Sequence, residues 1–552
     1  MARRIRWQIV IASLSTLLVA LLLGRLALSS ASVSSPLAGG SYVEVVVGGP
    51  QLPLPLLNDP TSDAVGRDLI VLLYDGLMRI GADGLLEPAL AFDYELDASG
   101  TSYLFHLRRN VFWHDGQPFS ADDVVFTLRT LQVLDQPGEP ALAAFWQDLL
   151  VDRIDAHTVR VTLNQPLAAF PSLTRVPILP AHLLEGQAPA TWASSAYASQ
   201  LIGTGPYALS ELNNDAALLV ANPAYFGGRP YIERVELRFA ATREAALGAL
   251  SRGEVTAFGE RVQLDQLAPG PVAGVRTRSV PLDEYALLSF NLREAPLDQA
   301  ALRQALAHGL NKTTMIERAL NGVAVALDTP FLPGSWAYNP DLAWHAPDVV
   351  TATQLLAAMG YTPDATGQLL RDGQPLSFEL LVDGEALRRA AADEIARQWA
   401  DLGITINVTP VERSELLSRL RAGDFSMALH NWTRLGPDPD PFALWHSSSS
   451  LNYAGLQDEQ LDRLLQNAHR ESELAVRSGD YSAFQARWIE LTPSITLYQP
   501  LYRFSSDQDL GGSGFDNPEI ALSNLMFGPE DRYRTVTRWF TASYREIQGD
   551  VR

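Results

Sequence analysis

From Gly203 onward, β-branched or aromatic runs of strand length alternate with apolar-periodic runs of helix length, and this alternation confines the chain to an α/β architecture. The strand-like runs are Arg234–Phe239, Ala286–Asn291, Ser377–Val382, Ile404–Val411 and Met427–Trp432. Among them the 3.6-residue period predicts helices over Thr242–Ser251, Gln299–Gly309, Thr351–Met359, Ala386–Asp401, Arg413–Ala422, Asp458–Ala468 and Tyr481–Thr492. Two units share one grammar: a helix closes at Met359-Gly360-Tyr361 or Leu402-Gly403-Ile404, with glycine at its C-terminus, and a strand follows.

The stretch before Gly203 is richer in strands. Tyr42–Val47 reads as an opening strand after the linker Ser32 to Gly40, so the folded body begins near Ser41. Ala98-Ser99-Gly100 and His114-Asp115-Gly116 punctuate β-rich runs and predict hairpin turns. Ser120 and Asp123 form a capping box for a helix whose apolar face is Val124, Val125, Leu128 and Leu131. With 552 residues and about 150 per domain, three or four domains are expected.

Arg3, Arg4 and Arg6 precede an apolar run from Ile9 to Gly24, and small residues follow at Ala27, Ser29 and Ala31. That layout predicts an export signal over residues 1–31, either cleaved or retained as a membrane anchor with Arg25 snorkelling. A net charge of −21 without an internal basic cluster argues against nucleic acid as a partner. With no cysteine, the chain cannot use thiol nucleophiles, disulfides, zinc-thiolate or iron–sulfur sites.

No motif specifies catalysis. The nine histidines include no HExxH, no GxSxG is present, and neighbouring His114 and Asp115 read as a turn. Gly203-Thr204-Gly205-Pro206-Tyr207 lacks the P-loop lysine and reads as a tight turn in which glycine permits positive φ. No cofactor is expected, and the chain is not expected to be an enzyme.

In order along the chain come Tyr74-Asp75-Gly76-Leu77, Glu87-Pro88-Ala89-Leu90-Ala91, Val111-Phe112-Trp113-His114-Asp115-Gly116, Leu179-Pro180-Ala181-His182, Gly203-Thr204-Gly205-Pro206-Tyr207, Phe290-Asn291, Arg303-Gln304-Ala305-Leu306 and Asp438-Pro439. This series resembles the family 5 solute-binding proteins of ABC importers, which includes oligopeptide-, dipeptide- and nickel-binding proteins. The resemblance implies a two-lobed, three-domain α/β fold of the periplasmic-binding-protein kind, with a ligand cleft between the lobes. By analogy, domain I would combine residues 41–80, 203–286 and 501–552, domain II would be 81–202, and domain III 287–500. The implied function is extracytoplasmic capture of a peptide-like or other small solute and its delivery to ABC permease subunits by a monomer. A nickel chelate or an oligosaccharide is the alternative ligand, and a membrane-tethered sensor the alternative role.

The segment His430 to Pro441 carries Trp432 and Arg434, side chains suited to stacking and bidentate hydrogen bonding. In peptide-binding relatives the loop after this Trp supplies an Asp for the ligand's ammonium, and Leu435 stands at or beside that position. An apolar side chain cannot neutralise a buried ammonium, so an anionic, carbohydrate-like or blocked ligand is expected. Trp432, Arg434, Leu435, Trp336 and Asn291 are the ligand-site candidates. Tyr498 and Tyr502 are expected to pack, and Lys312 to be solvated.

Overall fold

A computed structural model describes residues 32–49, 54–57, 63–134, 145–264, 272–342, 344–433, 436–514 and 525–547. The expected export segment over residues 1–31, and both Arg434 and Leu435, lie outside the described residues. No helix among the described residues is long and apolar enough to cross a membrane.

The strand Ser494–Asp507 organises the molecule. Its first part pairs antiparallel with Glu284–Phe290 (Ala286 opposite Tyr498, Ser289 opposite Ser494), and its last part with Val275–Pro281 and Ala257–Arg261. It therefore belongs to two hydrophobic cores. Ile495, Leu497 and Tyr498 pack with Phe290, Leu306, Leu380, Trp399 and Met427, while Tyr502 and Phe504 pack with Tyr42, Leu69, Tyr207, Leu237 and Trp539. Two lobes thus share a strand, and the chain passes between them at Leu282-Asp283 and again near Tyr498–Tyr502. As expected, Tyr498 and Tyr502 are buried.

One twelve-stranded sheet runs through both lobes. On one side Thr405–Pro410, Ser377–Val382 and Met427–Thr433 lie parallel beside Glu284–Phe290, which Met427–Thr433 meets antiparallel. On the other, Ser41–Val47 lies parallel between Ala257–Arg261 and Arg234–Ala240. A separate antiparallel sheet of Ala91–Leu96, Ser102–Leu107, Thr158–Thr162 and Leu150–Asp155 packs with the helix Ala121–Val133 around Phe105, Trp113, Leu128 and Trp146. The expected capping box starts that helix, with Ser120 and Asp123 exchanging side-chain and backbone bonds.

Two sequence motifs meet where this module joins its lobe. The His114 imidazole lies 3.1 Å from the Gly205 carbonyl and receives the Gly203 N–H at 3.2 Å. Burial pushes this histidine down to about 4, so it is neutral at pH 7. The glycines serve a purpose other than the expected positive φ. A Cβ at Gly203 would lie 1.8 Å from the Leu73 carbonyl oxygen, and one at Gly205 would lie 2.5 Å from the Leu73 carbonyl carbon. Close backbone approach is what requires them.

The C-terminal segment Pro529–Arg538 is bound into the first lobe through Arg532, which is only 2% exposed. Its Nε donates to Glu44 at 2.8 Å, and its Nη atoms grip both oxygens of Asp68. The hydroxyls of Tyr42 and Tyr533 donate to the other Glu44 oxygen, each at 2.6 Å. Lys312 also departs from expectation. It is buried, donates to the carbonyls of Leu327 and Thr496 and to Asp328, and lies 4.9 Å from the Trp344 ring centroid. Burial lowers its pKa, partly offset by Asp328.

Candidate functional site

Met427–Thr433 runs beside Glu284–Phe290 with Trp432 opposite Tyr285, which brings the segment after Trp432 next to the crossing at Asp283. Trp432 is half-buried, stacked on Tyr453 at 5.3 Å and 21°, with His430 edge-on at 5.3 Å. Burial, reinforced by the charge of Arg388, pushes His430 down to about 3, and its ring nitrogen contacts Ser289 Oγ at 2.9 Å. That neutral imidazole fixes one edge of the indole.

From Gly436 to Asp440 the loop is held at each step. Gly436 adopts φ +83°, a left-handed conformation that favours glycine, and donates its N–H to Asp283 Oδ2 at 2.7 Å. The Pro437 carbonyl accepts from Trp336 Nε1 at 3.1 Å. Asp438 takes two bonds from Arg477, at 2.8 and 2.6 Å, and the Arg477 guanidinium lies 5.0 Å from the Trp336 ring centroid. Asp440 contacts His469 Nδ1 at 2.5 Å and accepts the Phe442 N–H at 3.0 Å. Both carboxylates of the Asp-Pro-Asp-Pro stretch are therefore spent on structure.

The opposite lobe reaches this loop and the helix Glu459–Arg470 that holds it. Ala168 N–H donates to the His469 carbonyl at 2.9 Å. Arg175, whose Nε donates to Ser172, places a guanidinium nitrogen 3.9 Å from where a Gly436 Cβ would be. Arg175 also lines a cavity of about 190 Å³ together with Tyr74, Asp75, Arg79, Tyr225 and Asp531. Asp75 accepts from Tyr225 at 3.0 Å and Thr204 at 3.2 Å, and burial raises it to about 6.

Residues 86–454 match the model of the bacterial extracellular solute-binding proteins, family 5. The chain belongs to this family. The family 5 chain is 26% identical over 512 residues to the oligopeptide-binding protein AppA of Bacillus subtilis (strain 168), covering 90% of this chain and 92% of that one. Its fold is shared with HbpA2 from Haemophilus parasuis, at TM-score 0.73 and 23% identity over 86% of this chain and 96% of that one. It is shared too with NikZ from Campylobacter jejuni, solved in complex with Ni(L-His), at TM-score 0.66 and 23% identity over 91% and 99%. These likenesses fix the architecture as the two-lobed α/β fold of solute-binding proteins.

Within that architecture Trp432 and Trp336 flank one loop, Trp336 through its Pro437 bond and Trp432 at the loop's root. Asn291 is not brought there. It is 2% exposed, its amide donates to the carbonyls of Gly423 and Phe425, and its oxygen accepts the Arg293 N–H. A buried carboxamide engaged in this way positions strands. Sequence reading missed Asp283, Arg175 and Arg477, for none stands in a recognisable motif. Only the alternating prolines of 437–441 hinted that this loop is rigidly held. Among the described residues no group of three His, Asp or Glu side chains is placed to hold a metal ion.

Proposed function

We propose that this family 5 protein captures a peptide-like solute outside the cytoplasm, in the cleft between its lobes, and delivers it to the permease of an ABC importer. The observation that carries the reading is the loop Gly436–Asp440, locked to its own lobe by Asp283, Trp336, Arg477 and His469, with Arg175 of the other lobe beside Gly436 and Ala168 bonded to His469. A rigid loop at the lobe junction gives a ligand a preorganised wall. Closure around a shared strand excludes water, so a few polar contacts and aromatic faces determine specificity. Trp432 supplies a stacking face, and Arg434 and Leu435 belong to the same wall in this proposal. The relatives support a peptide-like ligand, since AppA is an oligopeptide-binding protein.

The test is to equilibrate purified protein with a mixed peptide library, separate it by gel filtration and identify what it retains. Retention of intact peptides in a ratio of one per chain supports the reading. Conversion of the library into fragments by multiple turnovers would replace it with an enzymatic one.

A further inference from the structure

Asp283 occupies the hinge crossing between Val275–Pro281, which pairs in one lobe, and Glu284–Phe290, which pairs in the other. Its backbone is fixed there, with N–H donating to the Met526 carbonyl at 2.6 Å. The side chain is 3% exposed. One oxygen accepts the Gly436 N–H, and the other, Oδ1, is buried with no donor among the described residues. The other acids around this turn are engaged: Glu284 by Arg261, Asp438 by Arg477, Asp440 by His469, and Asp531 by Arg534 and the Phe527 N–H. A buried carboxylate oxygen without a donor costs free energy until something supplies a proton or a positive charge.

We propose that Asp283 anchors the positive end of the ligand, a primary ammonium of a peptide-like solute held between the hinge and the Gly436 turn. The inference rests on the solute-capture reading above and names the chemistry of the same cleft. The groups that act on Asp283 are Arg175 from the opposite lobe, Asp531 from the C-terminal segment and the adjoining Glu284. Glu284 and Asp531 each have an arginine of their own, so what the spot lacks among the described residues is a donor to Asp283 Oδ1. The ligand-free carboxyl is raised from 3.8 to about 8, chiefly by burial, with the Gly436 N–H and Arg175 pulling down and Asp531 and Glu284 pushing up. An arriving ammonium ionises it, and the displaced proton leaves to solvent. Anchor and hinge coincide, so the same contact favours the closed arrangement of the lobes. Under this proposal the expectation of an anionic, carbohydrate-like or blocked ligand, drawn from Leu435, changes, because the hinge crossing supplies the carboxylate.

The experiment uses a randomised tripeptide library with free amino ends, the same library N-acetylated, the full chain and its Asp283→Asn variant. Asn keeps the oxygen that Gly436 needs and removes the charge. Retained peptides are identified by mass spectrometry, and the best is titrated calorimetrically at pH 7 in phosphate and in Tris to read proton release. The wild type is expected to retain free-amine peptides over acetylated ones and to release close to one proton. Asp283→Asn is expected to bind free-amine peptides more weakly on the order of a hundredfold, without proton release and without altered binding of acetylated ones. Equal retention of both libraries, or an unchanged preference in Asp283→Asn, overturns the assignment and leaves solute capture standing. Failure of the wild type to retain any tripeptide overturns it as well; a co-purifying host solute in that case preserves capture alone, and its absence removes both.

Discussion

Replacing Asp283 by Asn should stabilise the protein in alkali and leave it unchanged in acid. A carboxyl raised from 3.8 to about 8 holds its proton more tightly folded than unfolded, so it contributes a penalty. The penalty is absent below the unfolded value, grows as the pH climbs, and is complete above about 8. At about 1.4 kcal/mol per pH unit, the interval sets a ceiling of about 5–6 kcal/mol. Relaxation and water entry reduce the cost of a buried ion to several kcal/mol. Asn is close to isosteric and keeps an acceptor for Gly436, so a gain of about 2–4 kcal/mol is expected at pH 9. For a cooperative unit of 150–250 residues this raises the melting temperature by about 4–15 °C. At pH 4 the two proteins should melt together. The assay is thermal unfolding of both, followed by circular dichroism, from pH 4 to 9. Parallel curves would refute the reasoning, because Asp283 would then titrate as an ordinary carboxylate and its unpartnered oxygen would carry no cost.

Arg532→Met should destabilise the first lobe by about 3–5 kcal/mol, since it strands the buried Glu44 and Asp68; denaturant melts measure it, and a loss under 1 kcal/mol would contradict the arrangement. Trp432→Ala should weaken the ligand about tenfold through the lost stacking face, and ligand should perturb tryptophan fluorescence in the wild type. Arg434→Ala should cost about 2–5 kcal/mol in calorimetry if the arginine makes a buried charged contact. An effect confined to on-rate and salt dependence would place it on the rim. Gly436→Ala should cost about 1–2 kcal/mol of stability, because φ is +83° there, and should loosen the loop enough to weaken peptide retention.

Much of the fold was legible because its elements are local. The helices Ala386–Ala400 and Arg413–Ala422 and the strands Ser377–Val382 and Met427–Thr433 follow apolar periods that any window displays. The helix expected from Tyr481 starts at Leu474 instead, for its first turns expose Leu474 and Val476 and bury Arg477 against Asp438, the reverse of the apolar-inside pattern that periodicity registers. Contacts across sequence were out of reach: Arg532 meets Glu44 at a separation of 488 residues. Lys312 looked solvated because a lone lysine beside a helix cap gives no sign that three backbone and side-chain oxygens await it. Asn291 stood among the candidates through the family resemblance alone, and its partners, the backbone of a distant turn, leave no local mark in the sequence. Asp283 is one of 63 acidic residues, and only the hinge geometry distinguishes it.

Native mass spectrometry of the protein isolated from its own host tests the central claim most directly. The account predicts a single non-covalent solute per chain, released on gentle activation, carrying an amino group and retained at lower occupancy by Trp432→Ala. A chain that emerges without any bound solute, and acquires none from host extract, would contradict capture between the lobes.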